Sequence, residues 1–171
     1  MGTSSGGTRG LLPIILVGLL GVVSAVVAGL TWSTTADATA RADALAATGL
    51  TGYLPEILDS RPTHVEAVGD RVAIDYVVGG SPYLTVYLVP TPADLCGLLG
   101  EVDQCERGEL GGGERVATGS FEEMSSVAVT RGETTILVNG VVTEAARPSI
   151  DDVVDSFANA PAQSWLWLVR Q

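Results

Sequence analysis

Two cysteines are the residues of this chain whose chemistry is simplest to assign. Cys96 and Cys105 are its only cysteines and are nine positions apart. A redox site is better served by a C-x-x-C pair, which the chain lacks, whereas cysteines of an exported domain persist as disulfides. We therefore predict a structural disulfide that fixes the loop between the two residues.

His64 is the only histidine, so any Ser-His-Asp or Cys-His catalysis would have to use it. The hairpin predicted below places His64 opposite Asp75, where the two side chains form an ordinary surface contact. One histidine and two bonded cysteines are too few ligands for zinc. Gly111–Gly113 lacks the Lys and Ser/Thr of a phosphate-binding loop. The sequence therefore predicts no catalytic residue, no metal and no cofactor.

Carboxylates are the remaining candidates for chemistry. One acidic, glycine-rich segment has oxygen ligands enough for calcium but matches no D-x-D-x-D-G loop, and such a loop is normally just solvated. A hydrolase that uses carboxylates alone is a further possibility, and it would need two of them about 5 to 9.5 Å apart in a cleft. The acidic segment contains Glu101, Asp103, Glu106, Glu109 and Glu114, and the hydrolase candidates are Glu122, Glu123, Asp151 and Asp152.

Two tryptophans stand close to the C-terminus. Trp165 and Trp167 belong to the apolar run Ser164–Val169. We predict a strand that is buried on both faces, with the two rings on the same side. If they are exposed instead, they mark a surface that binds a partner or ligand or that rests on a membrane.

Charge is distributed unevenly along the chain. Arg9 precedes the apolar N-terminal segment, whereas the other eight arginines and all 20 acidic residues follow it, which gives the later part a net charge of −12. Such a surface repels phosphate backbones and anionic headgroups. Nucleic acid is therefore excluded as a partner.

The segment Leu11–Leu30 contains no charged residue. Twenty helical residues span about 30 Å, which is the thickness of a hydrocarbon core. Trp32 follows at the position of an interfacial anchor, and Arg9 predicts that the N-terminus stays in the cytoplasm. We predict an uncleaved transmembrane helix that places the C-terminal domain outside the cytoplasmic membrane.

The alternative is a cleaved secretory signal, because small residues at Val23–Ala25 and Val26–Ala28 resemble cleavage sites. Both interpretations predict the same compartment. Gly21, Ala25 and Gly29 also form a small-residue face through which two membrane helices can approach. A homodimer through this face is the less favoured interpretation.

The predicted organisation has four parts: a cytoplasmic tail at 1–10, the transmembrane helix at 11–30, a stalk at 31–52 and an extracytoplasmic domain at 53–171. The stalk is rich in Thr and Ala and has almost no large apolar side chain before Leu45. It therefore gains little packing energy, and a partly helical linker is expected.

The sequence of the domain predicts an α+β fold with a mostly antiparallel sheet of about six to seven strands and two short packed helices. Gly69-Asp70 predicts a hairpin, and one helix is expected from Thr91 to Gly100 and another after the cap Ser149. Asn139-Gly140 predicts a further turn. The expected strands are His64–Val68, Arg71–Val78, Tyr83–Val89, Glu114–Gly119, Ser125–Thr130, Thr134–Val138, Val141–Thr143 and the C-terminal run.

Three functions are compatible with these features. The leading hypothesis is a non-catalytic interaction or accessory domain, anchored in the membrane, whose partner is a membrane or envelope protein. A domain that binds a small apolar ligand or lipid between sheet and helices is the alternative, and it requires a cavity of several hundred Å³. The carboxylate hydrolase is the third.

Overall fold

The computed structural model describes residues 35–57, 60–78, 81–122, 124–142 and 149–170. The chain divides into two compact units, Met1–Thr39 and Ala40–Gln171. Only 35–39 of the first unit are described, and they are helical. The predicted transmembrane segment Leu11–Leu30 and its small-residue face lie outside the described residues. No helix within the described ranges is long and apolar enough to cross a membrane.

The second unit is a sheet-rich α+β structure, as predicted. Seven strands form one antiparallel sheet in the order β2-β3-β4-β8-β7-β6-β5, and β1 and β9 pair separately. The strands are β1 (Gly52–Tyr53), β2 (Arg61–Val68), β3 (Arg71–Val78), β4 (Ser81–Pro90), β5 (Gln104–Glu109), β6 (Arg115–Phe121), β7 (Met124–Arg131), β8 (Thr134–Val142) and β9 (Ala162–Gln163). The described helices are α1 (35–46), α2 (Ile150–Ala158) and α3 (Trp165–Leu168), with a 3₁₀ turn at Cys96–Leu98.

The main core lies on one face of this sheet. Strand register aligns apolar side chains in rows across it, and one row runs through Val72, Leu88, Ile136, Val129 and Val116. All of these except the partly buried Val116 are inaccessible to water. Each fully buried side chain of this size contributes about 1.5–3 kcal/mol. Helices cover this face, with Leu45, Val153, Phe157 and Leu168 packed into the same core.

A second, smaller core lies on the opposite face. The chain between β4 and β5 crosses that face and buries Leu95 and Leu99 against Ala117, Ala128 and Leu137. The sheet is therefore covered on both sides over its central strands.

The hairpin of β2 and β3 has the predicted register. Val65 pairs with Ile74, and His64 lies opposite Asp75. Gly69 occupies the left-handed region with φ of 66°, as a glycine at a tight turn can.

Helix α2 also begins where the sequence predicts. The Ser149 side chain accepts a hydrogen bond from the Asp152 N–H at 3.2 Å, and the Asp152 carboxylate accepts one from the Ser149 N–H at 3.0 Å. This reciprocal pair is a capping box. Val153 and Phe157 form its buried stripe.

The folded unit starts earlier than the predicted boundary at residue 53. Ala42, Leu45 and Leu50 are buried, and the Arg41 guanidinium donates to the Val65 carbonyl at 2.9 Å. Ala42 and Leu45 are three positions apart on one face of α1, and Leu50 follows the end of the helix. Residues 40–52 therefore belong to the domain rather than to a stalk.

The predicted helix from Thr91 to Gly100 was wrong. Only the 3₁₀ turn forms, because other groups bind the carbonyls that a helix would use. The Arg115 guanidinium donates to the carbonyls of Pro92 and Ala93, each at 3.0 Å. Asp94 accepts from the Cys96 N–H at 3.1 Å.

The acidic, glycine-rich segment, which the sequence predicts as a loop from Glu101 to Gly113, is not a continuous loop, because β5 forms within it and pairs with β6. Its charged side chains are compatible with a strand because β5 is at the edge of the sheet, where charge is tolerated and discourages further pairing.

The turn predicted at Asn139-Gly140 was also wrong, since β8 continues through it. Register changes here from Val127–Val138 to Ser125–Val141, so two residues of β8 lie opposite Ser126. Gly140 has φ of 75° and its N–H donates to the Ser126 hydroxyl at 3.3 Å. Glycine at this position therefore forms a β-bulge.

The C-terminal run is a helical turn and not a strand. Ser164 caps it by accepting a hydrogen bond from the Trp167 N–H at 3.3 Å. Burial on both faces of a strand was wrong, because α3 buries one side only. A short apolar run does not by its periodicity distinguish a strand from a buried helical turn.

Candidate functional site

Helix α3 divides its four residues between the core and the surface. Leu168 is 2% exposed and Trp165 is partly buried, and both pack on the main core. Leu166 is 36% exposed and Trp167 is 41% exposed. Because Trp165 and Leu168 are three positions apart, they share one face of the turn, which directs the other two residues outward.

Gly52 provides the space in which α3 is seated. A Cβ atom added there would lie 2.9 Å from Leu168 Cδ1 and 3.2 Å from Trp165 Cζ3. The side chains of Leu168 and Trp165 therefore pack closely against the backbone of β1 at Gly52. This contact fixes α3 and with it the position of Leu166 and Trp167.

The two tryptophans do not form the single buried cluster that the sequence predicted. Trp165 faces the core and Trp167 faces the surface, because a helical turn rotates successive residues by about 100° whereas a strand would place them on one side. The exposed pair is therefore Leu166 and Trp167.

A groove lies between α2 and the segment after β1. Its volume is about 490 Å³, and its lining is mostly apolar. The buried residues Ile57 and Val153 form the base of the groove, the exposed Pro161 supplies apolar surface, and carboxylates and polar groups form the rim. The rim residues are Glu56, Asp152, Asp155, Ser156 and Asn159.

Hydrogen bonds hold the two walls of this groove together. The Ser156 hydroxyl donates to the Glu56 carbonyl at 2.8 Å, and the Leu54 N–H donates to the Pro161 carbonyl at 3.1 Å. Beneath them, the buried Tyr76 hydroxyl donates to the Pro55 carbonyl at 2.7 Å. Burial raises the pKa of Tyr76, so this hydroxyl keeps its proton.

The rim of the groove is negative at neutral pH. Hydrogen bonds from the Ser149 hydroxyl and then from its N–H lower the pKa of Asp152. Glu56 and Asp155 are exposed, so water solvates their charges. None of the described residues that line the groove is basic.

Cys96 and Cys105 are disulfide-bonded, with their Cα atoms 6.0 Å apart. The bond joins the 3₁₀ turn to β5. Nearby, Arg107 forms an ion pair with Asp94 at 3.1 Å. Their hydrogen bond is the main cause of the lowered pKa of Asp94, and the Cys96 N–H contributes as well. Disulfide and ion pair together hold the chain across the second face of the sheet.

A smaller groove of about 320 Å³ lies beside the ion pair of Asp94 and Arg107, and its lining also includes Arg115. Arg107 binds Asp94, and Arg115 binds the backbone carbonyls of Pro92 and Ala93. The arrangement is that of a structural support.

His64 makes a different contact from the predicted one. Its Nε2 atom lies 3.4 Å from Glu66, and the side chain is exposed. Asp75 instead accepts a hydrogen bond from the Thr85 hydroxyl at 2.7 Å. The predicted register was correct, but the Asp75 carboxylate is hydrogen-bonded to Thr85 on β4, the other neighbour of β3.

The predicted acidic residues are distributed along separate elements. Among the described residues, no group of three or more His, Cys, Asp or Glu side chains is arranged to hold a metal. Glu101, Asp103, Glu106 and Glu109 are exposed, and Glu114 is partly buried. Of the hydrolase candidates, Glu122 lies in the β6–β7 turn, Glu123 lies outside the described residues, and Asp151 and Asp152 begin α2.

Sequence reasoning missed the groove as a site. Asp152 and Asp155 are three positions apart on α2, and this spacing predicts that they share one face of the helix. The contact of α2 with the opposite wall could not be predicted from sequence, because Ser156 and Glu56 are 100 residues apart.

Comparison with known proteins adds no relative, since the sequence matches no protein-family model, no curated protein and no solved structure.

Proposed function

We propose that this chain is a single-pass membrane protein whose extracytoplasmic domain binds another membrane or envelope protein and performs no catalysis. The observation that carries the proposal is the exposed pair Leu166 and Trp167 on α3. A partly exposed tryptophan beside a partly exposed leucine offers apolar surface that association can remove from water.

The support of α3 favours recognition over accidental exposure. Trp165 and Leu168 hold the turn against the core, so Trp167 is presented from a supported element. Binding to a supported side chain costs less conformational entropy than binding to a loose one. Tryptophan is also enriched among the residues that dominate binding energy at interfaces.

The membrane location rests on the sequence of Leu11–Leu30 and on the charge asymmetry around it. The Cys96–Cys105 bond is compatible with that location, because disulfides persist outside the cytoplasm. Leu166 and Trp167 would then be available to proteins of the envelope.

The other hypotheses have less support. A small apolar ligand in the 490 Å³ groove would lie against the carboxylates of Glu56, Asp152 and Asp155, whose desolvation it could not compensate. Of the four hydrolase candidates, Asp152 lines the 490 Å³ groove, and its carboxylate is already bound in the capping box of α2.

The test is photo-crosslinking of the full chain in the cells that produce it. Trp167 is replaced by benzoylphenylalanine, and a discrete protein adduct is expected on irradiation. The matched control places the same group at Phe121, which is 37% exposed and lies on β6 far along the chain from α3. It should give no such adduct.

A second change tests whether the surface itself is recognised. Leu166→Asp in the crosslinking chain places a charge beside the probe without touching the core, and it should abolish the adduct. Equal adducts from positions 167 and 121, or an adduct with lipid alone, would contradict the proposal.

A further inference from the structure

We propose that the groove between α2 and the segment Glu56–Ile57 binds a cationic, amphipathic segment of a partner protein, in which arginine or lysine alternates with apolar side chains. This goes beyond the proposed function, because it names a second surface and the chemistry of what that surface accepts.

The shape of the groove fits a few side chains of an extended or helical segment. Its volume of about 490 Å³ lies within the range of sites that bury part of a ligand. Ile57 and Val153 belong to the main core and are almost fully buried, so the apolar surface that the groove offers comes mainly from Pro161 and from the carbon atoms of the rim side chains. Apolar side chains of a partner can remove this lining from water.

Charge determines which partner fits. Glu56, Asp152 and Asp155 are at the rim, and no basic residue is among the described residues of the lining. An arginine or lysine has an apolar stem and a charged head, so it can cover the lining while its head reaches the rim. A neutral apolar segment would leave these carboxylates partly desolvated without a counter-charge.

The groove is built before any partner binds. The bonds Ser156–Glu56 and Leu54–Pro161 join its walls, and Tyr76 supports the backbone at Pro55. Binding therefore needs no rearrangement of this part of the chain, which favours association. The net negative charge that follows Arg9 also attracts a cationic segment over a longer distance.

The experiment uses the full chain in phosphatidylcholine nanodiscs and a fluorescein-labelled peptide that alternates arginine and leucine. Binding is followed by fluorescence anisotropy. The double variant Glu56→Gln, Asp155→Asn removes two rim charges and leaves the capping residue Asp152 intact. It should weaken peptide binding about 3- to 10-fold, as expected for two partly solvated charge pairs.

The matched control is the double variant Glu101→Gln, Asp103→Asn. It changes the net charge by the same amount at exposed positions far along the chain from the groove. Peptide affinity should then stay within about twofold of the parent, because exposed charges at a distance are screened by salt. A peptide with serine in place of leucine should bind more weakly than the original.

Three results would overturn the inference: no binding of the peptide to the parent chain, equal weakening by both double variants, or equal affinity for the serine peptide. Each is independent of Leu166 and Trp167. Failure here together with a specific adduct at position 167 would leave the interaction role intact and remove only the groove from it.

Discussion

The disulfide offers the sharpest test of how the second face of the sheet is held. The double variant Cys96→Ala, Cys105→Ala removes the bond and leaves two small side chains. The ion pair of Asp94 with Arg107 and the two bonds from Arg115 remain. We therefore expect the variant to keep the native fold. Its unfolded chain should gain conformational entropy, which lowers the free energy of unfolding.

The size of the effect follows from loop length. The bonded residues are nine positions apart. In the chain-entropy model, closing a loop of about ten residues removes about 9 cal/mol/K from the unfolded chain, which is about 2.7 kcal/mol at 25 °C. With a urea m-value of about 1–3 kcal/mol/M, the midpoint should fall by about 1–2.5 M.

The assay is urea unfolding of the fragment 35–171, followed by circular dichroism with and without reductant. Reductant should shift the parent toward the variant and leave the variant unchanged. A loss below about 1 kcal/mol would refute the loop-entropy argument. Loss of native signal without urea would show instead that the disulfide is needed to hold the segment in place.

Three further predictions concern α3, α2 and topology. Leu168→Ala should lower the free energy of unfolding by about 2–5 kcal/mol in urea titrations, whereas Leu166→Ala should cost less than half as much; equal losses would favour a strand buried on both faces. Asp152→Asn should be less stable than the parent at pH 7, and this difference should shrink as pH falls through the lowered pKa of Asp152, where the parent loses its charge-assisted bonds to Ser149; a difference independent of pH would contradict it. A reporter fused after Gln171 should be active only outside the cytoplasm, and cytoplasmic activity would contradict the predicted topology.

Features of the fold that depend on local signals could be predicted from sequence. Gly69-Asp70 set the register of β2 and β3 because a two-residue turn leaves no freedom in pairing. Ser149 and Asp152 marked the start of α2 because both partners of a capping box lie within four residues. The antiparallel sheet followed from the same hairpins.

Features that depend on distant contacts could not be predicted. The segment after Thr91 has good helix-start residues, but Arg115 binds its carbonyls from more than twenty positions away. Strand β5 has few apolar residues and forms because the edge of β6 is open to pairing. The groove needed Ser156 and Glu56 to meet, which no local pattern indicates.

Both candidate surfaces are supported by one short stretch, from Gly52 to Ile57. Gly52 seats α3, because any side chain there would lie 2.9 Å from Leu168 Cδ1 and from the Gln163 carbonyl. Four residues later the Glu56 carbonyl binds α2, and its carboxylate stands at the rim of the groove. A partner that contacts both surfaces would therefore engage elements positioned by the same backbone.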